Sequence, residues 1–574
     1  MKLRDLIHFF KTKWYVALFI ISVLTVIVVR LREPLYLAYL WDTVALMETA
    51  HRLSNGLGLT SSLFTIDSHD LSEITKYQTM NWWAPLTPYI LSIFLMIGLE
   101  DEMALKLFFS LSILLGWTGW LYLSLRCFNT MLLKNWPIAL FFSLMPLAFT
   151  RIKDADEFLA WALLPWVAIS LSYLFGGNIK LGIFLNFLTC AVILFSCYFG
   201  WFYIAASLIT IVFYPARIRQ KFFALVIILP LLTLSYKILT FVNGGYPPYL
   251  SQESIKLTAI LPLCFSAIQQ SGLYPIITYV DALLPSSLIS IIIRLNEVPL
   301  SFIISLITYL ILGVIVLFSL GKSSSQAALK SNLLFLSLVF LGLPVFLLFN
   351  TIKNQNFFNY MTWQSYYSNL VPLVYFLFIS LFTVFQNHQK LRIICNVIII
   401  PITFFLLISL TTFFSDGPSR GKAMIVGYSF KGDEALRYRN NIYEIIPNDF
   451  DISVLDSEPP GIVYSIFPHF ISLVNKKSPH TIRTTGNRSY WKNAFASKDT
   501  YLYFILPEGQ EPAPISHLLI TFQDADRHSM PELLKLPGWQ ALEYRVTEYG
   551  GSKVIYKATL PSGWTAKSIF SDVD

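Results

Sequence analysis

The sequence predicts a polytopic α-helical membrane protein with about eleven transmembrane helices, juxtamembrane helices and a C-terminal soluble α+β domain. Three observations predict it. The chain of 574 residues is 55% hydrophobic, only 13% charged, and holds 47 Phe. Its mean hydropathy of +0.59 excludes an ordinary soluble domain. Apolar runs long enough to cross a bilayer recur as far as residue 414, and mixed polar patterning follows.

The runs lie at 15–31, 106–125, 134–150, 158–176, 181–196, 198–214, 222–242, 299–320, 332–350, 366–386 and 393–414. The start, "MKLRDLIHFFKTKW", is basic, and no small-residue cleavage site follows, so the first run reads as a retained helix. A shorter run, 84–98, contains Pro85 and Pro88 and reads as an interfacial helix, with Trp82 and Trp83 at headgroup level. The positive-inside rule supports that choice. With 84–98 on the surface, Arg126 and Lys134, Lys180, Arg217 to Lys221, Lys322 and Lys330, and Lys390 and Arg392 fall on one side with the basic N-terminus. The net charge of +8 is therefore a topology signal, and no nucleic-acid partner is expected.

The N-terminus is then cytoplasmic, and the loops 32–105 and 243–298 are outside with the C-terminal domain, 415–574. Residues 1–414 form the membrane domain. The short basic N-terminus points to a bacterial inner membrane with a periplasmic outer side. In the outer domain "YLYFIL" and "HLLITF" read as strands, and "ALEYRVTEYGGSKVIYKATL" reads as a hairpin turning at Gly550-Gly551. The five Cys show no ligand-spaced pair, so neither a zinc site nor a disulfide framework is expected.

Polar chemistry gathers at the outer face. Asp42 follows the first span, and Leu46, Met47, Ala50, Leu53 and Leu57 after it trace a helical face ending near Gly56 or Gly58. Glu48, His51 and Arg52 share that segment, and Glu48 reads as an ordinary solvated charge. The second knot is "RIKDADEF", where Arg151, Lys153, Asp154, Asp156 and Glu157 crowd seven residues between two apolar walls. An acid there can cap the next helix. Capping explains one of them, and ionisable groups at membrane helix ends are costly unless wet, paired or functional.

Two carboxylates and several cations suit group transfer from a lipid-phosphate carrier. One carboxylate acts as general base on the acceptor. The cations, Arg52, Lys106, Arg151, Lys153 and Arg294, stabilise the departing phosphate. No Gly-rich nucleotide motif is present, so no organic cofactor is expected, and a divalent metal between acids and phosphate is compatible with the same groups.

Residues 15–175 resemble the GT-C superfamily of integral-membrane glycosyltransferases, in the lipid A aminoarabinose transferase and protein O-mannosyltransferase branch. Asp42 and Gly56 look like that branch's outer Asp and the glycine ending its juxtamembrane helix. "WAPLTPYILSIFLMIG" and Lys106 look like its proline-containing helix and the basic residue opening the second span. "DEFLAW" puts Asp156 in the place of a later outer acid. Thr43 and Ala84 stand where the branch has an acid and a basic residue, which moves the phosphate contact to Arg52, Arg151 or Arg294. The resemblance implies a glycosyltransferase using a polyprenyl-phosphate sugar donor. Asp42 and Asp156 are its catalytic acids, and the cations with Asp154 and Glu157 bind substrate. The acceptor is a glycolipid, a glycan or a protein at the outer face, among membrane lipids. A lipid-linked sugar flippase and a non-catalytic scaffold of envelope assembly are the competing readings.

Overall fold

The computed structural model describes residues 14–32, 41–61, 70–73, 78–79, 84–128, 136–146, 155–197, 200–243, 327–354, 455, 457–464, 481–483, 495–507, 540–542, 546–547 and 551–565, with a few single positions between 310 and 380. In chain order the helices are α1 (Trp14–Arg32), α2 (Trp41–Ser54), α3 (Leu86–Met96), α4 (Asp101–Cys127), α5 (Trp136–Leu144), α6 (Ala155–Phe175), α7 (Ile179–Ser196), α8 (Trp201–Phe213), α9 (Ile218–Val242) and α10 (Ala327–Asn354). The strands are β1 (Thr60–Ser61), β2 (Gln78–Thr79), β3 (Gly461–Tyr464), β4 (Thr481–Arg483), β5 (Thr500–Pro507), β6 (Gln540–Leu542), β7 (Val546–Thr547) and β8 (Gly551–Leu560).

The chain divides into two compact units. One comprises Met1–Ala38, Asn81–Thr87 and Glu102–Ala423, and the other Tyr39–Met80, Pro88–Asp101 and Met424–Asp574.

The first unit is helical and apolar. Among the described residues, four stretches are long and apolar enough to cross a membrane: Asp101–Cys127, Phe158–Phe175, Ile179–Ser196 and Ile218–Val242. Shorter apolar helices cover Trp14–Val28, Trp201–Phe213 and Ala327–Gly342. The protein is thus an integral membrane protein of polytopic helical type. The expected spans 15–31, 106–125, 158–176, 181–196, 198–214, 222–242 and 332–350 coincide with helices, and 134–150 opens as α5. The expected span 393–414 and the loop from 244 to 298 lie outside the described residues, as does most of 299–320 and 366–386.

Burial ranks these helices. In α6, 83% of the apolar window is enclosed, against 28% in α9, so α6 is the hub and α9 presents its apolar side chains outward. Small residues let the hub be approached closely. A Cβ on Gly116 would stand 2.6 Å from the Trp161 ring, and one on Gly119 2.7 Å from Pro165. Trp161 stacks on Phe158 at 5.1 Å and meets Trp117 edge-on at 5.8 Å. Phe19 of α1 continues the cluster, 5.8 Å from Trp117 and 5.0 Å from Phe142. Such pairs each add about 0.5–1.5 kcal/mol beyond the area they bury.

On its other side α6 turns into α7 through Gly177, at φ 111, a value that L side chains rarely adopt. Asn178 caps α7 by accepting from the Leu181 amide at 3.3 Å. Gly182 then lets α7 close on the α6 backbone, since a Cβ there would stand 2.3 Å from the Leu174 nitrogen. Deeper in, fully buried Asn186 donates to Ser170 Oγ and Ser207 Oγ, both at 2.9 Å, joining α6, α7 and α8. Asn186→Leu is expected to lower stability by about 0.6 kcal/mol per lost bond, because helices in lipid find substitute partners when unfolded. Unfolding in bilayer discs measures it, and a loss several times larger would mean that Asn186 also fixes helix register.

The second unit holds a mixed sheet in the order β4-β3-β5-β8-β6, with β7 paired to β8. β3 runs parallel to β4 and β5, while β8 runs antiparallel to β5 from Thr500↔Leu560 to Pro507↔Lys553. The expected strand "YLYFIL" lies within β5. Pairing of Thr547 with Gly551 closes a β7–β8 hairpin beside the expected Gly550-Gly551 turn. The "HLLITF" stretch lies outside the described residues. Buried Tyr503 donates its hydroxyl to Pro459 O at 2.7 Å. Burial, then the charge of Glu458, push that phenol well above its ordinary value.

Candidate functional site

Helix α2 belongs to the second unit and starts at Trp41, so Asp42 occupies its first turn. Nothing further is described of the Asp42 side chain. The helix closes with Gly56 at φ 76 and Gly58 at φ 75, the left-handed values for which glycine suits a helix end. The Leu57 amide reaches back to Arg52 O at 2.8 Å and satisfies one of the last carbonyls.

Of the apolar face that the spacing predicts, Leu46, Met47 and Ala50 are fully buried, Leu53 is half-buried, and Leu57 is exposed beyond the helix end. Glu48 corrects the sequence reading, because it is not a solvated charge. Both Glu48 and Arg52 have no exposed surface, and Arg52 Nη1 stands 3.7 Å from Glu48 Oε1. Ser61 Oγ donates to Glu48 Oε2 at 2.6 Å, and Arg52 Nε donates to Thr60 Oγ1 at 3.0 Å. These bonds fix α2 to β1, which pairs antiparallel with β2 through Thr60↔Thr79 and Ser61↔Gln78. At the end of α2, His51 Nε2 meets Asp101 Oδ1 at 2.6 Å, half-buried, and ties the helix to the first residue of α4.

A second polar focus in this unit surrounds Asp70. Its Oδ1 accepts from the Ser72 amide at 3.0 Å, the Ser72 hydroxyl at 2.7 Å and the Ser497 amide at 3.1 Å. Burial pushes the Asp70 carboxyl up, but hydrogen bonds from the side chains and amides of Ser497 and Ser72 outweigh it and hold the group below its ordinary value. A depressed folded-state value contributes stability that is complete above the unfolded value, about 3.9, and is lost as pH falls through the folded one. Asp70→Asn is therefore expected to melt earlier than wild type at neutral pH. The gap should close only below about pH 4 in a pH series of melting curves. A gap independent of pH down to about 3 would refute a charged Asp70 in that role.

In the first unit, Lys106 pairs with Glu102 one turn earlier on α4, and its side chain is 15% exposed. Asp156 and Glu157 lie in the first turn of α6, directly before Phe158, and their side chains are not described. Arg151, Lys153, Asp154 and Arg294 lie outside the described residues. Thr43 and Ala84 each have no exposed surface, so an acid or a base in their places would have to be desolvated. Among the described residues, no group of three or more His, Cys, Asp or Glu side chains is arranged to hold a metal ion.

Sequence reasoning missed Asp70, Asp101 and the burial of Glu48. A Glu four residues before an Arg on one helix is a visible pairing signal. An Asp two residues before a Ser signals a local turn, as at Asp70 and Ser72. Neither signal reports that the pair is buried, or that Ser497 completes the cluster.

No family model matches this chain, and no curated protein does. Among solved structures, the chain is similar to the crystal structure of ArnT from Cupriavidus metallidurans bound to undecaprenyl phosphate, at 12% identity and a TM-score of 0.37, over 95% of this chain and 98% of that one. At so low a score this likeness carries no functional weight, and this chain's own residues must supply the chemistry.

Proposed function

We propose that this protein is an inverting glycosyltransferase that moves a sugar from a polyprenyl-phosphate carrier to an acceptor at the outer face of the membrane. The Asp42 carboxylate takes the proton of the acceptor hydroxyl or amine. The freed lone pair attacks the anomeric carbon, the bond from that carbon to the phosphate oxygen breaks, and the carrier phosphate leaves. Asp156 orients the acceptor or the carrier. Lys106, Arg151, Lys153 and Arg294 stabilise the charge on the departing phosphate, with Asp154 and Glu157 on the substrate beside them. Arg52 belongs to the same set by sequence, yet its guanidinium is enclosed with Glu48, so its assigned work is holding α2.

The observation that carries the reading is local. An acid opens a juxtamembrane helix closed by Gly56, and a proline-containing helix, α3, leads to Gly98 at φ 88 before Lys106 enters the next span. That order of acid, helix, glycine, helix, glycine and cation is the one the resemblance implies. The test uses purified protein in lipid discs with a panel of polyprenyl-phosphate sugars, reading release of the free carrier phosphate. Release with membrane extract as acceptor source supports a transferase. Passage of labelled lipid across vesicles without cleavage would replace this reading with transport.

A further inference from the structure

We propose that Asp70 is a positioning residue through which the C-terminal sheet holds the first outer loop, and with it helix α2 and Asp42. This rests on the transferase reading for its catalytic consequence and on the second unit's own geometry for the hold.

The contacts form a path from sheet to helix inside one unit. Residues 495–499 lead directly into β5, and they are pinned to the segment after β8. The Ala496 amide donates to Trp564 O at 2.9 Å, the Gly563 amide to Ala496 O at 2.8 Å, and Ser562 Oγ to Ser497 O at 3.0 Å. Onto this edge the outer loop docks. The Leu71 amide donates to Phe495 O at 2.7 Å, Ser72 Oγ meets Ser497 Oγ at 2.6 Å, and Asp70 Oδ1 gathers the Ser72 and Ser497 donors. A carboxylate accepting several N–H and O–H bonds makes them stronger than neutral ones. Five residues after Glu73 the chain enters β2, β2 pairs with β1, and β1 engages Glu48 and Arg52 of α2 through Ser61 and Thr60.

More than four hundred positions of sequence separate Asp70 from Ser497, so this docking is a tertiary choice and not a local turn. A general base is useful only when held within a fraction of an ångström of its working place, and its support must come from groups that are themselves fixed. The sheet edge is fixed by the β5–β8 ladder, and α2 by its own interior bonds. Asp70 is the joint between them.

The bonds from the Ser72 amide, the Ser72 hydroxyl and the Ser497 amide fall on the same oxygen, and this gives the test its control. Asp70→Asn keeps an oxygen at that place without the charge, while Asp70→Ala removes it. In the full-length protein in lipid discs, hydrogen exchange of Asp70→Ala is expected to rise on the order of tenfold or more at the amides of Leu71, Ser72 and Ser497 and along α2. The β5–β8 amides should stay protected. Carrier-phosphate release should fall in kcat by about 10- to 100-fold with donor KM little changed, and Asp70→Asn should recover most of it. Faster exchange across β5 and β8 as well would mean general unfolding and would overturn the proposal. Unchanged exchange in α2, or an unchanged kcat, would overturn it too. If the wild type releases carrier phosphate from no donor, the transferase reading falls, and the hold is judged on the α2 amides alone.

Discussion

Asp42→Asn is expected to lower carrier-phosphate release by about 10²- to 10⁴-fold, the usual share of a positioned general base. The carboxamide matches the carboxylate in shape, and in the first turn of α2 it gives up only the favourable charge on the helix dipole, about 0.3–1 kcal/mol. It cannot take a proton. The loss should therefore appear in kcat, with donor binding kept and melting temperature nearly so, which is the pattern of a group that acts only in the transition state. Asp156→Asn should differ. A residue that orients acceptor or carrier contributes to binding as well, so its variant should raise KM together with any fall in kcat. Full release by a folded Asp42→Asn protein would remove Asp42 from the base position. A loss confined to KM would make it a binding residue.

The parts of this protein that were legible in the sequence are those in which lipid dictates the pattern. A span must be apolar over most of its length and long enough, so α4, α6, α7 and α9 stand in the sequence almost to their ends. The start of α2 beside Asp42 and its end near Gly56 were legible as well, because glycine is the residue that readily takes the left-handed conformation of a helix end, as Gly56 does at φ 76. What was not legible depends on distant partners. The polar face of α2 looks solvated by periodicity, yet Glu48 and Arg52 are covered because β1 folds back over them. Asp70 is an unremarkable loop acid until Ser497 is brought to it. Asn186 sits in a run that reads only as apolar, and its bonds to Ser170 and Ser207 exist because glycines let the neighbouring helices close.

The buried pair on α2 carries the largest expected effect on stability. Glu48→Ala takes the carboxylate away from a guanidinium that has no exposed surface, and it removes the acceptor of the Ser61 hydroxyl. Stripping one partner from an enclosed ion pair costs about 3–5 kcal/mol, because the remaining charge keeps its desolvation penalty without its compensation. Melting of the purified protein should register it. Exchange of both for apolar side chains of similar volume, Glu48→Leu with Arg52→Met, should recover most of the loss, since two desolvated charges seldom outperform good packing. The double variant also decides what Arg52 does. Asp42 lies six positions before Glu48 on the same helix, so Glu48→Ala should depress carrier-phosphate release simply by loosening α2. If the double variant restores both melting temperature and release, the pair is a fastening for the helix that carries the base. If melting returns and release does not, the Arg52 charge acts on the carrier phosphate, and α2 must open its buried face when the donor binds.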